Sequence, residues 1–224
     1  MTSARDEILA NIRRSLGVTG REAPRIAAVD ERIERAPRGV VPKRGQLPPE
    51  ERVTLFKAMA EAAQATVEAV PSAADVPAAV AAYLRRHNLP ATLRRGADAR
   101  LAAMPWGETA LEISVGPSDG HDLNGVSHAF AGVAESGTLV LVSCEDNPTT
   151  LNFLPDNHIV VVSAKDVIGD YEEVWSRVRF KEGKGLMPRT VNMITGPSRS
   201  GDIEQVLLLG AHGPRRLHIV VVDE

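Results

Sequence analysis

VNMITGPSRSGDIEQVLLLGAHGPRRLHIVVVDE, Val191 to Glu224, reads as strand, glycine-rich turn, short helix, turn and strand. Val191 to Thr195 is β-rich and stops at Gly196-Pro197. Asp202 to Leu209 holds helix formers closed by Gly210, and Leu217 to Val222 is nearly all β-branched and apolar. About twenty residues separate the two strands, enough for a crossover and too many for a hairpin, so the pair is expected to run parallel in one sheet. His218-Ile219-Val220-Val221-Val222 shows no polar alternation and is expected to be covered on both faces, as in a three-layer α/β sheet. The turn GPSRSGD then falls at the carboxyl end of its strand, where open α/β sheets hold their ligands.

The chain ahead of this unit keeps the same rhythm. Asp166 to Val178 is an amphipathic helix, and His158 to Val162 is a second all-apolar strand. Val126 to Ala134 and Thr138 to Ser143 are strand-like runs divided by Glu135-Ser136-Gly137. Leu111 to Val115 and Ala91-Thr92-Leu93 read as strands, with a short helical piece around Asp98 to Met104 between them. Ala74 to His87 and Glu50 to Ala69 carry helical periods, the latter through Val53, Phe56, Ala60, Ala63 and Val67.

At the front, Ser3 with Asp6 caps a helix over Thr2 to Leu16 whose stripe is Ile8, Leu9, Ile12 and Leu16, with Gly17 as its stop. A helix this short is marginal alone in water, so it docks on its own domain, on a second copy or on a partner. Gly17 to Pro49 carries Pro24, Pro37, Pro42, Pro48 and Pro49 without a period and reads as a linker or a surface-hugging arm. Residues 1–45 are therefore read as an N-terminal helix and Pro-rich arm, and residues 46–224 as one α/β domain.

Composition removes several function classes. A net charge of -3 and 4% aromatics argue against a nucleic-acid surface, which wants clustered cations and stacking rings. The charge is uneven: residues 1–45 hold ten Lys/Arg against six Asp/Glu, leaving sixteen against twenty-three in the remainder. That basic arm is either a solvated linker or an electrostatic handle for an acidic partner. One cysteine, Cys144, cannot supply the thiolates of an iron–sulfur cluster from these residues alone. No run reaches the roughly 18 apolar residues of a membrane span and the start lacks a signal-peptide core, so a cytoplasmic location is expected.

Four blocks carry a resemblance. AESGTLVL at Ala134–Leu141, LPDNHIVVV at Leu154–Val162, GPSRSGDIE at Gly196–Glu204 and GAHGPRRLHIVVV at Gly210–Val222 resemble the signature blocks of the LUD domain. Their order and spacing, with a helix in front, are similar to the lactate-utilisation protein C family. The resemblance implies a three-layer α/β fold similar to the sugar-phosphate isomerase and CoA-transferase superfamily, preceded by the helical arm. It also implies a role beside two iron–sulfur partner proteins in a system that oxidises L-lactate to pyruvate, with the clusters on those partners and no cofactor intrinsic to this chain. The expected function is a non-redox subunit or accessory protein of that system. The rival reading is a stand-alone acyl/CoA-transferase-like or sugar-phosphate enzyme that uses Glu135.

The site candidates follow from these blocks. In CoA transferases a glutamate ahead of a small residue and a glycine is the nucleophile, because a carboxylate can take up an acyl group as an anhydride. Glu135, with Ser136, Gly137 and Thr138, is similarly placed; the plainer reading is a tight turn with Glu135 solvated at its tip. Gly196, Ser198, Arg199, Ser200 and Asp202 form a turn that can cradle an anion on backbone N–H groups, with Arg199 as a two-pronged carboxylate grip. Asp202 and Glu204 repel a phosphate there, so a small monocarboxylate or hydroxyl-bearing ligand is expected, shared with Glu135-Ser136-Gly137. The plainer alternative has Ser200 or Asp202 as helix cap. His212 and Arg215 are expected at the opposite sheet edge, as a helix stop or, with Arg216, as a partner-facing patch. The histidine spacing gives no metal motif, so no metal site is assigned; a site assembled in space from His121, Asp122 and His128 is the alternative.

Overall fold

The alternation of helices and strands is present in the computed structural model, which describes residues 3–201 and 208–224. Helices α1 (Ala4–Leu16) and α2 (Ala23–Arg35) come first, then α3 (Pro49–Ala62), β1 (Thr66–Val70), α4 (Val76–Arg86), β2 (Thr92–Arg95), α5 (Ala99–Ala102) and β3 (Glu112–Val115). They are followed by β4 (Asn124–His128), β5 (Ala131–Val133), β6 (Thr138–Val142), α6 (Thr150–Phe153), β7 (Asn157–Ser163), β8 (Val167–Ile168) and α7 (Tyr171–Glu182). β9 (Val191–Ile194), β10 (Arg199–Ser200), β11 (Leu208–Leu209) and β12 (Arg216–Val222) come last.

Six strands form one sheet in the order β1-β12-β7-β4-β2-β3, every neighbouring pair parallel. The two all-apolar runs, β7 and β12, are interior strands buried on both faces, which is what their lack of alternation requires. Ile159, Val161, Val220 and Val222 pack with Val80 and Leu84 of α4 on one face. Val160, Val162, Ile219 and Val221 face the other side, against Phe56 and Ala60 of α3 and Leu139 and Leu141 of β6. The layer on that side is composite. It holds a second sheet, β8-β5-β6-β9, with α7 packed behind it through Val174 and Val178.

The structure corrects several sequence expectations. β9 and β12 do not share a sheet: β9 pairs antiparallel with β6, while β12 lies between β1 and β7. Separation by a crossover length permits parallel pairing without requiring it. The half-polar run Val191–Ile194, with Met193 exposed, suits the edge strand it is. The helix expected over Asp202 to Leu209 falls mostly outside the described residues, and Leu208–Leu209 is a strand antiparallel to Arg199–Ser200.

The arm is not aperiodic. It contains α2, with Pro24 in the first turn where a missing N–H costs nothing, and Ile26, Val29 and Ile33 at helical spacing. The helix expected to Ala69 ends at Ala62, since Gln64 takes a left-handed φ of 71° and the chain turns into β1. Val67 kept the helical period by coincidence and sits instead on β1. Val126 to Ala134 is two strands. The N–H of Ala129 bonds Val161 O in the large sheet and that of Phe130 bonds Val140 O in the small one, both at 2.8 Å. Asp166 to Val178 begins with β8, and α7 starts after Asp170, whose carboxylate accepts the Glu173 N–H at 3.0 Å. Among the described residues no helix is long and apolar enough to cross a membrane.

Candidate functional site

The β5–β6 hairpin turns at Ala134–Gly137. Gly137 has φ +67°, and a Cβ there would lie 2.2 Å from the Ala60 nitrogen. The close approach it permits is that of the α3 backbone. Glu135 is 3% exposed, so it does not sit solvated at the turn tip. Its Oε1 accepts the Tyr171 N–H at 3.4 Å, and its Oε2 has no hydrogen-bond partner. The arm lies across it: a Cβ at Gly45 would fall 2.1 Å from Gly169 O and 3.3 Å from Glu135 Cβ. Gln46 Nε2 donates to Asp170 Oδ2 at 2.7 Å beside this contact.

Next to Glu135 four hydroxyls converge. Ser136 Oγ lies 2.7 Å from Thr138 Oγ1 and 2.8 Å from Tyr171 Oη. Thr138 Oγ1 also meets Tyr171 Oη at 2.7 Å and Thr195 Oγ1 at 2.6 Å. Each hydroxyl can donate and accept, so the group forms a connected chain from the hairpin to the end of β9. Sequence reading named Ser136 and Thr138 but missed Tyr171 and Thr195. Tyr171 is the first residue of a capped helix and Thr195 directly precedes Gly196-Pro197, both positions fixed by backbone turns.

The turn after β9 is built against α3. Gly196 has φ +72°, and a Cβ there would meet Ala63 O at 2.1 Å. Ser198 joins two loops: its N–H donates to Pro214 O at 2.8 Å, its carbonyl accepts the Gly210 N–H at 2.9 Å, and its Oγ accepts the His212 N–H at 3.3 Å. His212 therefore stands beside the GPSRSGD turn and not at the opposite edge, because β9 and β12 belong to different sheets. Arg199 is exposed and its Nη2 donates to Ala63 O at 3.4 Å, which caps α3 and takes the guanidinium away from the expected carboxylate grip. Ser200 is buried in the β10–β11 pair. Asp202 lies outside the described residues. Arg215 is exposed, with Nε 3.8 Å from Asp156 Oδ1.

Between these loops and the amino ends of β7 and β12 is a cavity of about 240 Å³, lined among others by Asn152, His158, Thr195, Ser198, His212 and Leu217. It opens at the amino edge of the parallel sheet, not at the carboxyl edge where such sheets usually bind ligands. His158 is its buried polar wall. Nε2 lies 3.1 Å from Ser127 Oγ, which in turn donates to Asn152 Oδ1 at 3.3 Å. Nδ1 has no hydrogen-bond partner, and burial pulls the ring down to about 3. His158, Ser127 and Asn152 were missed as site residues; a histidine opening an otherwise apolar strand was the available signal.

Of the metal candidates, Asp122 pairs with Arg94 at 3.0 Å and His128 Nδ1 bonds Ala129 O at 2.9 Å, with the length of β4 between them. Among the described residues no group of three or more His, Cys, Asp and Glu is placed to hold a metal ion.

Residues 123–222 match the LUD domain family model. That span contains every polar cavity residue named above. Lactate utilization protein C of Geobacillus thermodenitrificans is 36% identical over 101 residues, 45% of this chain and 42% of that protein. The protein of the same name from Halalkalibacterium halodurans is 32% identical over 120 residues, 53% of this chain and 52% of that protein. The similar stretch thus spans about half the length of these relatives. A crystal structure of a DUF162 family protein from Deinococcus radiodurans superposes with a TM-score of 0.55 at 23% identity, over 79% of this chain and 99% of that one. That likeness concerns the fold.

Proposed function

We propose, for a chain whose residues 123–222 match the LUD domain and whose relatives are lactate utilization protein C, that it serves lactate utilisation as a non-redox component. In this reading it is cytoplasmic, holds a small hydroxy acid or positions a partner, and leaves electron transfer from L-lactate toward pyruvate to two partner proteins bearing iron–sulfur clusters. The observation that carries it is that the matched span holds both the cavity wall and the hydroxyl chain. One cysteine in 224 residues fits a chain whose electrons travel elsewhere. The half-exposed stripes of α1 (Ile8, Ile12) and α2 (Ile26, Val29, Ile33) offer apolar faces for such partners.

The rival, an acyl/CoA-transferase-like or sugar-phosphate enzyme, needs Glu135 open to substrate. Glu135 is 3% exposed, with Gly45 packed close to its Cβ. Affinity purification from lactate-grown cells tests the first reading. Two cluster-bearing proteins are expected to co-purify, and the isolated chain is expected to be colourless and inert toward lactate. Lactate oxidation by the isolated chain, or thioester turnover without partners, overturns it.

A further inference from the structure

The connections that leave β2 and β4 diverge across the six-stranded sheet. After β2 the chain passes through α5, whose Leu101 packs on the α4 face, and rejoins the sheet at its β3 edge. After β4 it passes through β5 and β6, with Leu139 and Leu141 on the α3 face, and rejoins at β7 on the other side. β2 and β4 are neighbours, so their carboxyl ends flank the topological switch point, where open α/β sheets take their ligands. A groove of about 590 Å³ lies at this edge, within the usual range for a small-molecule site. Arg100 comes from α5 after β2, Phe130 from the β4–β5 junction and Asp166 from the segment after β7, while Arg177, Phe180 and Lys181 come from α7.

Its walls combine rings with cations. Phe180 is 94% exposed, and Lys181 Nζ stands 5.7 Å from the centre of the Phe130 ring. The carboxylate on Arg100 is the more buried of the pair, Asp98 being 16% exposed at its side chain against 49% for Arg100. It engages Nε and Nη2 of the guanidinium at 3.1 and 2.8 Å, not Nη1. Glu182 stays 3.6 Å from Lys181 Nζ, beyond good hydrogen-bond reach. Arg177 is already matched, by Asp166 at 3.2 Å and Glu173 at 3.3 Å. We infer that this groove binds a small aromatic acid, its ring laid on Phe180 and its acid group held by Lys181 and Arg100. A ring alone covers Phe180 and leaves the cations unanswered, and an acid alone meets them in water, where an exposed pair is worth little. A ligand that carries both excludes water from the pair it makes. The site is independent of the lactate role, so either can fail without the other.

Titration calorimetry on the full chain tests this with 2-naphthoate, 2-naphthyl phosphate, the neutral 2-naphthamide, acetate and inorganic phosphate. At least one of the two aromatic acids is expected to bind saturably, roughly fivefold or more tighter than 2-naphthamide, acetate or phosphate. The tighter of the two tells whether the acid group that fits is a carboxylate or a phosphate. Phe180→Ala should weaken that acid by about fivefold, and Lys181→Gln by about threefold. Both side chains are exposed, so both variants are expected to fold, which far-UV circular dichroism checks. Three outcomes overturn the inference: no saturable binding of either aromatic acid by wild type, 2-naphthamide within roughly twofold of the better acid, or a folded Phe180→Ala or Lys181→Gln that binds the acid as wild type does.

Discussion

Thr138 Oγ1 lies 2.6 Å from Thr195 Oγ1, joining residues 57 apart in the chain. Thr195 lines the cavity, and Thr138 is fully buried at the meeting point of Ser136, Tyr171 and Thr195. This bond makes the hairpin and the loop after β9 one unit. It adds to the β6–β9 ladder, which pairs Leu139 with Ile194, and to α3, on which Gly137 and Gly196 both press, as links between the cavity and the Glu135 turn.

Replacing Thr138 by Val keeps the shape and removes the hub. Its three hydroxyl neighbours each lose a partner in a site with little water, so unfolding by urea should show a loss of about 1–3 kcal/mol. Thr138→Ser, which keeps the hydroxyl, should lose less than half as much. Equal losses in the two variants would assign the effect to packing of the methyl group.

Gly45 tests the strap over Glu135. Alanine there cannot fit against Gly169 O without displacing the arm. Gly45→Ala should lower stability by about 1–3 kcal/mol and increase proteolytic cutting between α2 and α3. Unchanged stability together with an unchanged cleavage pattern would mean that the arm is not fastened at this point.

What the sequence made legible was the interior. β7 and β12 were readable because uninterrupted β-branched runs have one solution, an inner parallel strand. The split at Ala129–Phe130 was not readable, since both halves are buried β-strand and only their partners differ. The α3 boundary was hidden because its stop is Gln64, a non-glycine residue in a left-handed conformation. In the site, Ser136 and Thr138 were found from a local block, but Tyr171, Thr195 and His158 reach it from three other elements. Arg199 had the right chemistry in the right turn and was claimed by the carbonyl of Ala63.

Glu135→Gln separates a working carboxylate from a structural one. The amide keeps the acceptor for the Tyr171 N–H and removes the charge. Lactate-dependent growth is expected to be lost while the thermal midpoint stays within a few degrees. Wild-type growth by the stably folded variant would take Glu135 out of the site and leave it as a buried support for the strap.

Acid should weaken the fold through its buried histidines, of which burial also lowers His128. Burial lowers His158 to about 3, and burial followed by the charges of Arg86 and His87 lowers His218 to about 4. His218 stacks on Tyr83 at 4.0 Å, has Thr66 Oγ1 2.8 Å from Nδ1, and has Glu68 Oε2 3.8 Å from Nε2. In the unfolded chain both titrate near 6.5, so below that pH the unfolded state takes up protons that the folded state refuses. Stability is therefore full above pH 6.5 and falls as the pH drops toward 4, by up to about 1.4 kcal/mol per pH unit for each ring. Urea unfolding at pH 7, 6 and 5 measures the slope. His218→Gln should remove its own share of the slope and leave that of His158 and His128. A flat profile between pH 6.5 and 5 would mean that both rings take up protons as readily in the folded state as in the unfolded one, and half the slope would mean that one of them does; ring NMR titration of His158 and His218 tells which.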